Sequence, residues 1–388
     1  MKKLLAVVLM ICLLMSFSSF AVAESNGTIM WLSNLSSGIQ YEAARDYLQA
    51  ICDAMGYDFT VVYGDSFNDA AGNLTAVQNG MTGDVKGIIA SQDGGLAAIM
   101  EQYPDIYVAG YNTDMSSVFD EGGVNAAVLE NDHFLGTICD GFADGADMGH
   151  QYFEEVQSLG WKRISIVHFP GYAYPTQIEA VDAFIADMEA YNATVSEDEQ
   201  ITLVGEPLML EFQTLPDSYF LEDGTDDLDG IVSFCAGLMY VYPTLVTAKM
   251  NGFARQDTQL ITGGFENNPD IVADIGSAEE GKTIAWICVS PFENPAYALV
   301  LLDNAITGNQ FPDFKVECID SASYVIDSSE DVEAAMTRAM FNTPDVSLAQ
   351  ISVDEVLQLA RRFNSDATYE GLKEVFHSEQ VTVEALFE

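Results

Sequence analysis

The chain reads as an α/β protein made of two similar doubly wound lobes, each built on a parallel sheet. Two observations carry that reading. Strand-like and helix-like segments alternate, the order that covers a parallel sheet with helices on both faces. The order then restarts in the second half, with strings that echo the first: Asp84-Val85-Lys86-Gly87-Ile88-Ile89 against Asp227-Leu228-Asp229-Gly230-Ile231-Val232, and Ile106-Tyr107-Val108-Ala109-Gly110-Tyr111 against Leu260-Ile261-Thr262-Gly263-Gly264-Phe265.

Thr28 to Leu32 is an apolar run of strand length. From Tyr41 to Met55 the apolar residues Tyr41, Ala44, Leu48, Ile51, Cys52 and Met55 share one helical face, and Gly56 stops the helix. Phe59–Tyr63 is the next strand, Asn68–Met81 a Gly-interrupted helix, Val85–Ala90 a strand, Leu96–Gln102 a short helix and Ile106–Ala109 the fourth strand. Ala126–Leu129 reads as extended. The second series begins with strand Arg163–Val167 and the amphipathic helix Gln177–Tyr191. Strands follow at Ile201–Val204, Asp229–Ser233 and Gln259–Phe265. The chain then crosses back through strand Lys282–Val289, helix Asn294–Thr307 and the extended Lys315–Ile326. The tail Ser352–Phe387 is expected to be helical and to pack outside a lobe, with Val356, Leu359, Ala360 and Phe363 at helical spacing.

At the amino end, Lys2 and Lys3 precede an apolar run from Leu4 to Met15, which ends at Ala21-Val22-Ala23. A basic start, a short apolar core and an Ala-x-Ala end make a secretion signal, cleaved after Ala23. The run is shorter than the roughly 20 residues that span a bilayer. The mature chain is thus expected outside the cytoplasm, in the periplasm, at the cell surface or secreted. Cys12 lacks the preceding small residues that a lipid anchor requires.

The formal net charge is −46 at pH 7. That sign repels nucleic acid and anionic membrane surfaces, so neither is an expected partner. Hydrophobic residues make up 49% of the chain, enough for a real core, so the acidity decorates a folded surface. The cysteines of the mature chain, Cys52, Cys139, Cys235, Cys288 and Cys318, are scattered and lack a Cys-x-x-Cys pair. They read as buried thiols.

No catalytic pattern emerges, whether His-Glu-x-x-His, Gly-x-Ser-x-Gly, P-loop or a Gly-x-Gly-x-x-Gly turn. His133, His150, His168 and His377 have no metal-ligand spacing. The acidic string Asp223–Gly230 fails as a calcium loop, because its twelfth position is Ala236. An enzyme, a cofactor and a metal are therefore not expected.

Taken together, the secretion signal, the doubled α/β order, the two Asp-Gly-Ile-like strand starts, the Gly-Tyr and Gly-Phe strand ends and the Asn131-Asp132-His133-Phe134-Leu135-Gly136 string resemble type I periplasmic binding proteins of the ribose-binding-like group. The resemblance covers about Thr28 to Asp327. It implies two lobes joined by about three hinge strands, with a small ligand held in the cleft between them. It also implies an ABC-transporter permease as membrane partner, and a monomer is expected. The corresponding division is a signal peptide over 1–23, an amino-terminal lobe over 24–135 and 290–320, and a carboxy-terminal lobe over 136–289 and 321–388 that includes the helical tail.

In open parallel sheets, ligands bind beyond the carboxyl ends of the strands. The residues following each strand are therefore the candidates. In the first lobe they are Ser33 and Asn34 with Tyr41, then Gln92 and Asp93, Tyr111 and Asn112, and Asn131 and Asp132. In the second they are Phe169, Tyr172 and Tyr174, then Cys235, Phe265 and Glu266, and Ser290 and Phe292. Amides and carboxylates would bond ligand donors, while the aromatics would pack on apolar faces. Sugar-binding members place an Arg where this chain has Pro175-Thr176-Gln177, an Asp near Glu266 and a Gln near Ser290. A sugar is the first expectation. A nucleoside or purine is the alternative, as is a sensory role feeding a membrane receptor.

Overall fold

The computed structural model describes residues 25–387 apart from 65–68, 114, 121, 140–144, 276–281 and 378–382. The expected secretion signal lies outside the described residues.

Strands are numbered in chain order. They are β1 (Thr28–Ser33), β2 (Asp58–Tyr63), β3 (Val85–Ala90), β4 (Tyr107–Tyr111), β5 (Phe134–Ile138), β6 (Arg163–His168) and β7 (Thr202–Leu203). The series continues with β8 (Leu208–Met209), β9 (Gly230–Ser233), β10 (Gln259–Gly263), β11 (Ile284–Val289), β12 (Cys318–Ile319) and β13 (Tyr324–Ile326). One sheet runs β12-β5-β4-β3-β1-β2 and is parallel throughout. The other runs β13-β11-β10-β9-β6-β7, with β8 also on β6; only β13 is antiparallel.

The two strand orders match position for position, and the sequence echoes fall on equivalent strands: β3 with β9, and β4 with β10. The apolar strands have the expected cause. In β1, Ile29 and Trp31 enter one buried cluster while Met30 and Leu32 enter another, so both faces are covered. Helix Ile39–Met55 lies on the first face, burying Tyr41, Ala44, Leu48, Ile51, Cys52 and Met55, and ends at Gly56 in the left-handed conformation (φ 76°). Before the tail, the chain passes between lobes three times: after β5, through Ser290–Asn294 after β11, and after β12. The middle passage delivers the apolar helix Pro295–Ile306 onto β3, β4 and β5.

Several expectations need correction. Ala126–Glu130 is a 3₁₀ helix rather than an extended segment, and the strand lies one turn later, at β5. The helix expected after the Asn131–Gly136 string has no bounds in the sequence reading; it runs Gly145–Ser158 and packs along helix Pro175–Asn192 at close range. A Cβ on Gly149 would sit 2.4 Å from the Ala180 carbonyl oxygen. Lys315–Ile326 holds only two short strands, one in each sheet. The tail is not one long helix but helices Val353–Leu359 and Tyr369–His377 with a closing 3₁₀ turn. It does not belong with the second lobe alone. Helix Val353–Leu359 packs on Ile39–Met55 and Pro295–Ile306, both on the first sheet, and Tyr369–His377 also packs on Pro295–Ile306.

Candidate functional site

The carboxyl edges of the two sheets face a cleft of about 290 Å³, lined from both lobes. Its first-lobe wall is aromatic. The Trp31 and Tyr41 rings stack with centroids 5.4 Å apart and 19° between planes, and Tyr111 tilts against Trp31 at 6.0 Å. Trp31 is held in place by its indole N–H, which donates to Ser91 Oγ at 2.8 Å. The Tyr41 hydroxyl is hydrogen-bonded to that of Tyr63.

The second-lobe wall is aromatic as well. Tyr152 projects from helix Gly145–Ser158 against Phe234 at the end of β9, with centroids 4.9 Å apart. Phe169 and Tyr174 stack at 5.4 Å beyond β6. Gln177 locks that loop, its Oε1 accepting from the Phe169 N–H at 2.7 Å.

Between these walls lie uncharged hydrogen-bonding groups. Asn34, Gln92, Asn112 and Thr113 come from the first lobe, and Thr176, Gln177 and Ser290 from the second lobe and its crossing. Asn112 stands out. Its backbone is left-handed (φ 52°), an unusual state for a residue with a side chain, and its Oδ1 is buried with no hydrogen-bond partner. A buried unpaired acceptor is costly, and a ligand hydroxyl or amine would relieve it.

Among the described residues of the lining, Asp93 is the only charged one, and none is a lysine or arginine. Its Oδ2 accepts from the Ser117 N–H at 3.1 Å, so it also holds the start of the short helix Ser116–Phe119. Cys235 touches the cleft as a neutral thiol; burial pushes its pKa up to about 11. His168 lies behind the cleft, its ring Nδ1 2.8 Å from the Phe169 carbonyl oxygen.

The structure brings ten of the expected residues to the cleft: Asn34, Tyr41, Gln92, Asp93, Tyr111, Asn112, Phe169, Tyr174, Cys235 and Ser290. It keeps seven away. Ser33 Oγ is spent in a turn, donating to the Leu35 carbonyl and accepting its N–H. Asn131 and Asp132 precede β5, at the amino edge of the sheet, and Asn131 Oδ1 caps the His133 N–H. Tyr172 is 75% exposed on the rim, where it donates to Glu211 Oε2 at 3.1 Å. Phe265 and Phe292 both pack on Phe341, at 4.9 and 4.7 Å. Glu266 is half-buried outside the lining, and desolvation raises its pKa. Sequence reasoning missed Trp31, read as strand core, and Tyr152, on a helix expected without bounds. It came within one residue of Phe234.

The acidic turn before β9 has its own cations. Arg255 Nη1 lies 2.8 Å from Asp229 and 3.4 Å from Asp227, and its Nη2 lies 2.7 Å from Asp257. Asp229 also accepts from the Lys162 and Arg163 N–H groups. Among the described residues, no group of three acidic, histidine or cysteine side chains could hold a metal ion.

No protein-family model and no curated protein matches the chain. Solved structures do. A solute-binding protein of an ABC transporter from Burkholderia graminis, in complex with D-arabinose, aligns at TM-score 0.57 and 14% identity over 81% of this chain and 97% of its own. A periplasmic binding protein/LacI transcriptional regulator from Alkaliphilus metalliredigens, complexed with D-xylulofuranose, aligns at TM-score 0.52 and 16% identity over 78% and 97%. A LacI-family transcriptional regulator from Burkhoderia phymatum aligns at TM-score 0.51 and 14% identity over 77% and 97%. The fold is that of the type I periplasmic binding proteins, and these identities establish the fold alone.

Proposed function

We propose that this chain is an extracytoplasmic solute-binding protein that closes its two lobes on a small neutral, hydroxyl-bearing molecule, a sugar first of all, and delivers it to an ABC-transporter permease. The observation that carries the reading is the lining of the cleft. Among the described residues it has aromatic faces on both walls, amides and hydroxyls between them, one carboxylate and no cationic side chain. Such a lining favours neutral ligands and disfavours phosphorylated or carboxylated ones, whose charge would be desolvated unpaired beside Asp93. Groups from both lobes bonding one ligand would favour the closed arrangement, which is the physical basis of hinge closure. The basic start and Ala-x-Ala end of residues 1–23 support export, and among the described residues no helix is long and apolar enough to cross a membrane. A regulator on this fold would act on DNA, which a net charge of −46 opposes.

The stacked Trp31–Tyr41 pair favours a second reading, a nucleoside whose base lies against the aromatic wall. A thermal-shift screen of the mature chain separates the two. Free pentoses and hexoses, nucleosides, sugar phosphates and amino acids would each be added in large excess. A ligand at 100 times its dissociation constant stabilises by about 2.7 kcal/mol. A shift with neutral sugars is the expected result. A shift with nucleosides alone selects the second reading, and a shift only with sugar phosphates or acidic solutes overturns both.

A further inference from the structure

Two lobes joined only by short crossings are free to move about their hinge unless a large apolar interface ties them. Here the tail supplies one. Helix Ser329–Arg338 packs on helix Pro269–Ile275 of the second lobe. Immediately after it, Phe341 is fully buried among three rings: Phe265 of the second lobe at 4.9 Å, Phe292 of the crossing at 4.7 Å and Tyr324 at 5.0 Å. Asn267 Nδ2 of the second lobe donates to the Asn342 carbonyl at 2.8 Å.

The chain then moves onto the first lobe. The Tyr47 hydroxyl donates to the Ile351 carbonyl at 2.5 Å, and Arg362 pairs with the buried Asp303 at 2.7 Å. One apolar cluster therefore runs without interruption from Tyr47 and Leu48, through Ile351 and Phe341, to Phe265 and Ile271. Gly264, which lines the cleft, is the residue before Phe265, so the same loop serves cleft and tail.

From this continuity we infer that the segment 328–377 is a strap across the back of the hinge, which restricts the angle between the lobes before any ligand arrives. A lobe angle held in advance lowers the conformational cost that binding must meet. The inference stands independently of which solute the cleft takes.

The test needs no ligand. Spin labels on Glu101→Cys in the first lobe and Glu189→Cys in the second, with Cys318→Ser in every chain, report the interlobe distance by pulsed electron paramagnetic resonance. The strap is then cut at a protease site inserted between Thr343 and Pro344, in an exposed stretch. The intact chain should give one narrow distance distribution, and the nicked chain a broader one with a second maximum. A broad distribution in the intact chain, or an unchanged narrow one after cutting, overturns the strap. Should the nicked chain lose its near-ultraviolet circular dichroism, Phe341→Leu replaces it. That variant keeps apolar bulk but loses the ring contacts. Widening supports the strap and an unchanged width overturns it.

Discussion

Tyr172 and Tyr174 sit two residues apart beyond β6 in different surroundings. Tyr174 lines the cleft and stacks on Phe169, whereas Tyr172 points from the rim to Glu211. Tyr174→Ala should weaken binding of the solute found by thermal shift at least about tenfold, a loss near 1.4 kcal/mol. Tyr172→Ala should leave it within about twofold. Calorimetric titration of both variants checks this, and equal losses would place both rings in the site. Glu293 is another matter. Its side chain is buried on the crossing after β11, where Oε1 accepts from the Gln350 N–H at 3.0 Å and Oε2 has no partner. Tyr324 and Tyr47 are its titratable neighbours, and no cation acts on it. Burial pushes its pKa up to about 7. The folded chain thus prefers the protonated acid. That stabilisation is fully present below the ordinary value near 4.5 and is lost as pH rises through about 7, on the order of 3 kcal/mol in all. Glu293→Gln should therefore gain melting temperature over the wild type at pH 8 but not at pH 4. A constant difference between the two chains at both pH values would remove Glu293 as the cause.

At the scale of elements, the helix pair Gly145–Ser158 and Pro175–Asn192 shows why some features are hidden in a sequence. The close approach depends on Gly149, where a Cβ would meet the Ala180 carbonyl oxygen at 2.4 Å and Ala183 Cβ at 2.8 Å. Gly149→Ala normally favours a helix by about 1 kcal/mol. Here overpacking should win, for a net loss of about 1–3 kcal/mol, measured as the urea midpoint. A stabilised variant would mean that the helices can separate at little cost. Within a single sequence, Gly145 and Gly149 weaken the helical signal, so the bounds of the helix that brings Tyr152 to the cleft are not legible there. The tail failed for a related reason. The spacing of Val356, Leu359 and Ala360 marks an apolar face but not its partner. That partner, helix Ile39–Met55, lies some three hundred residues earlier.

For the whole molecule, the doubled α/β order was legible because a parallel sheet buries both faces of its strands and so writes short apolar runs. The repeated strings, Asp84–Ile89 with Asp227–Val232 and Ile106–Tyr111 with Leu260–Phe265, then land on matching strands of two sheets. The rule that ligands gather beyond carboxyl strand ends led to most of the cleft. It failed where a strand was misplaced: moving β5 one turn later put Asn131 and Asp132 at the wrong edge. It failed again where a residue of suitable type had a stronger apolar partner, as Phe265 and Phe292 have in Phe341.

What the sequence by itself determined is the sum of local choices: most of the strands and helices, how often the pattern repeats, and the sign of the charge. Periodicity and composition act over a few residues, so they survive without a three-dimensional frame. Only the tertiary structure decided which face each side chain presents, which wall Trp31 and Tyr152 form, and how the tail spans both lobes. Those facts depend on contacts between residues far apart in the chain, and an apolar face written in the sequence does not name its partner.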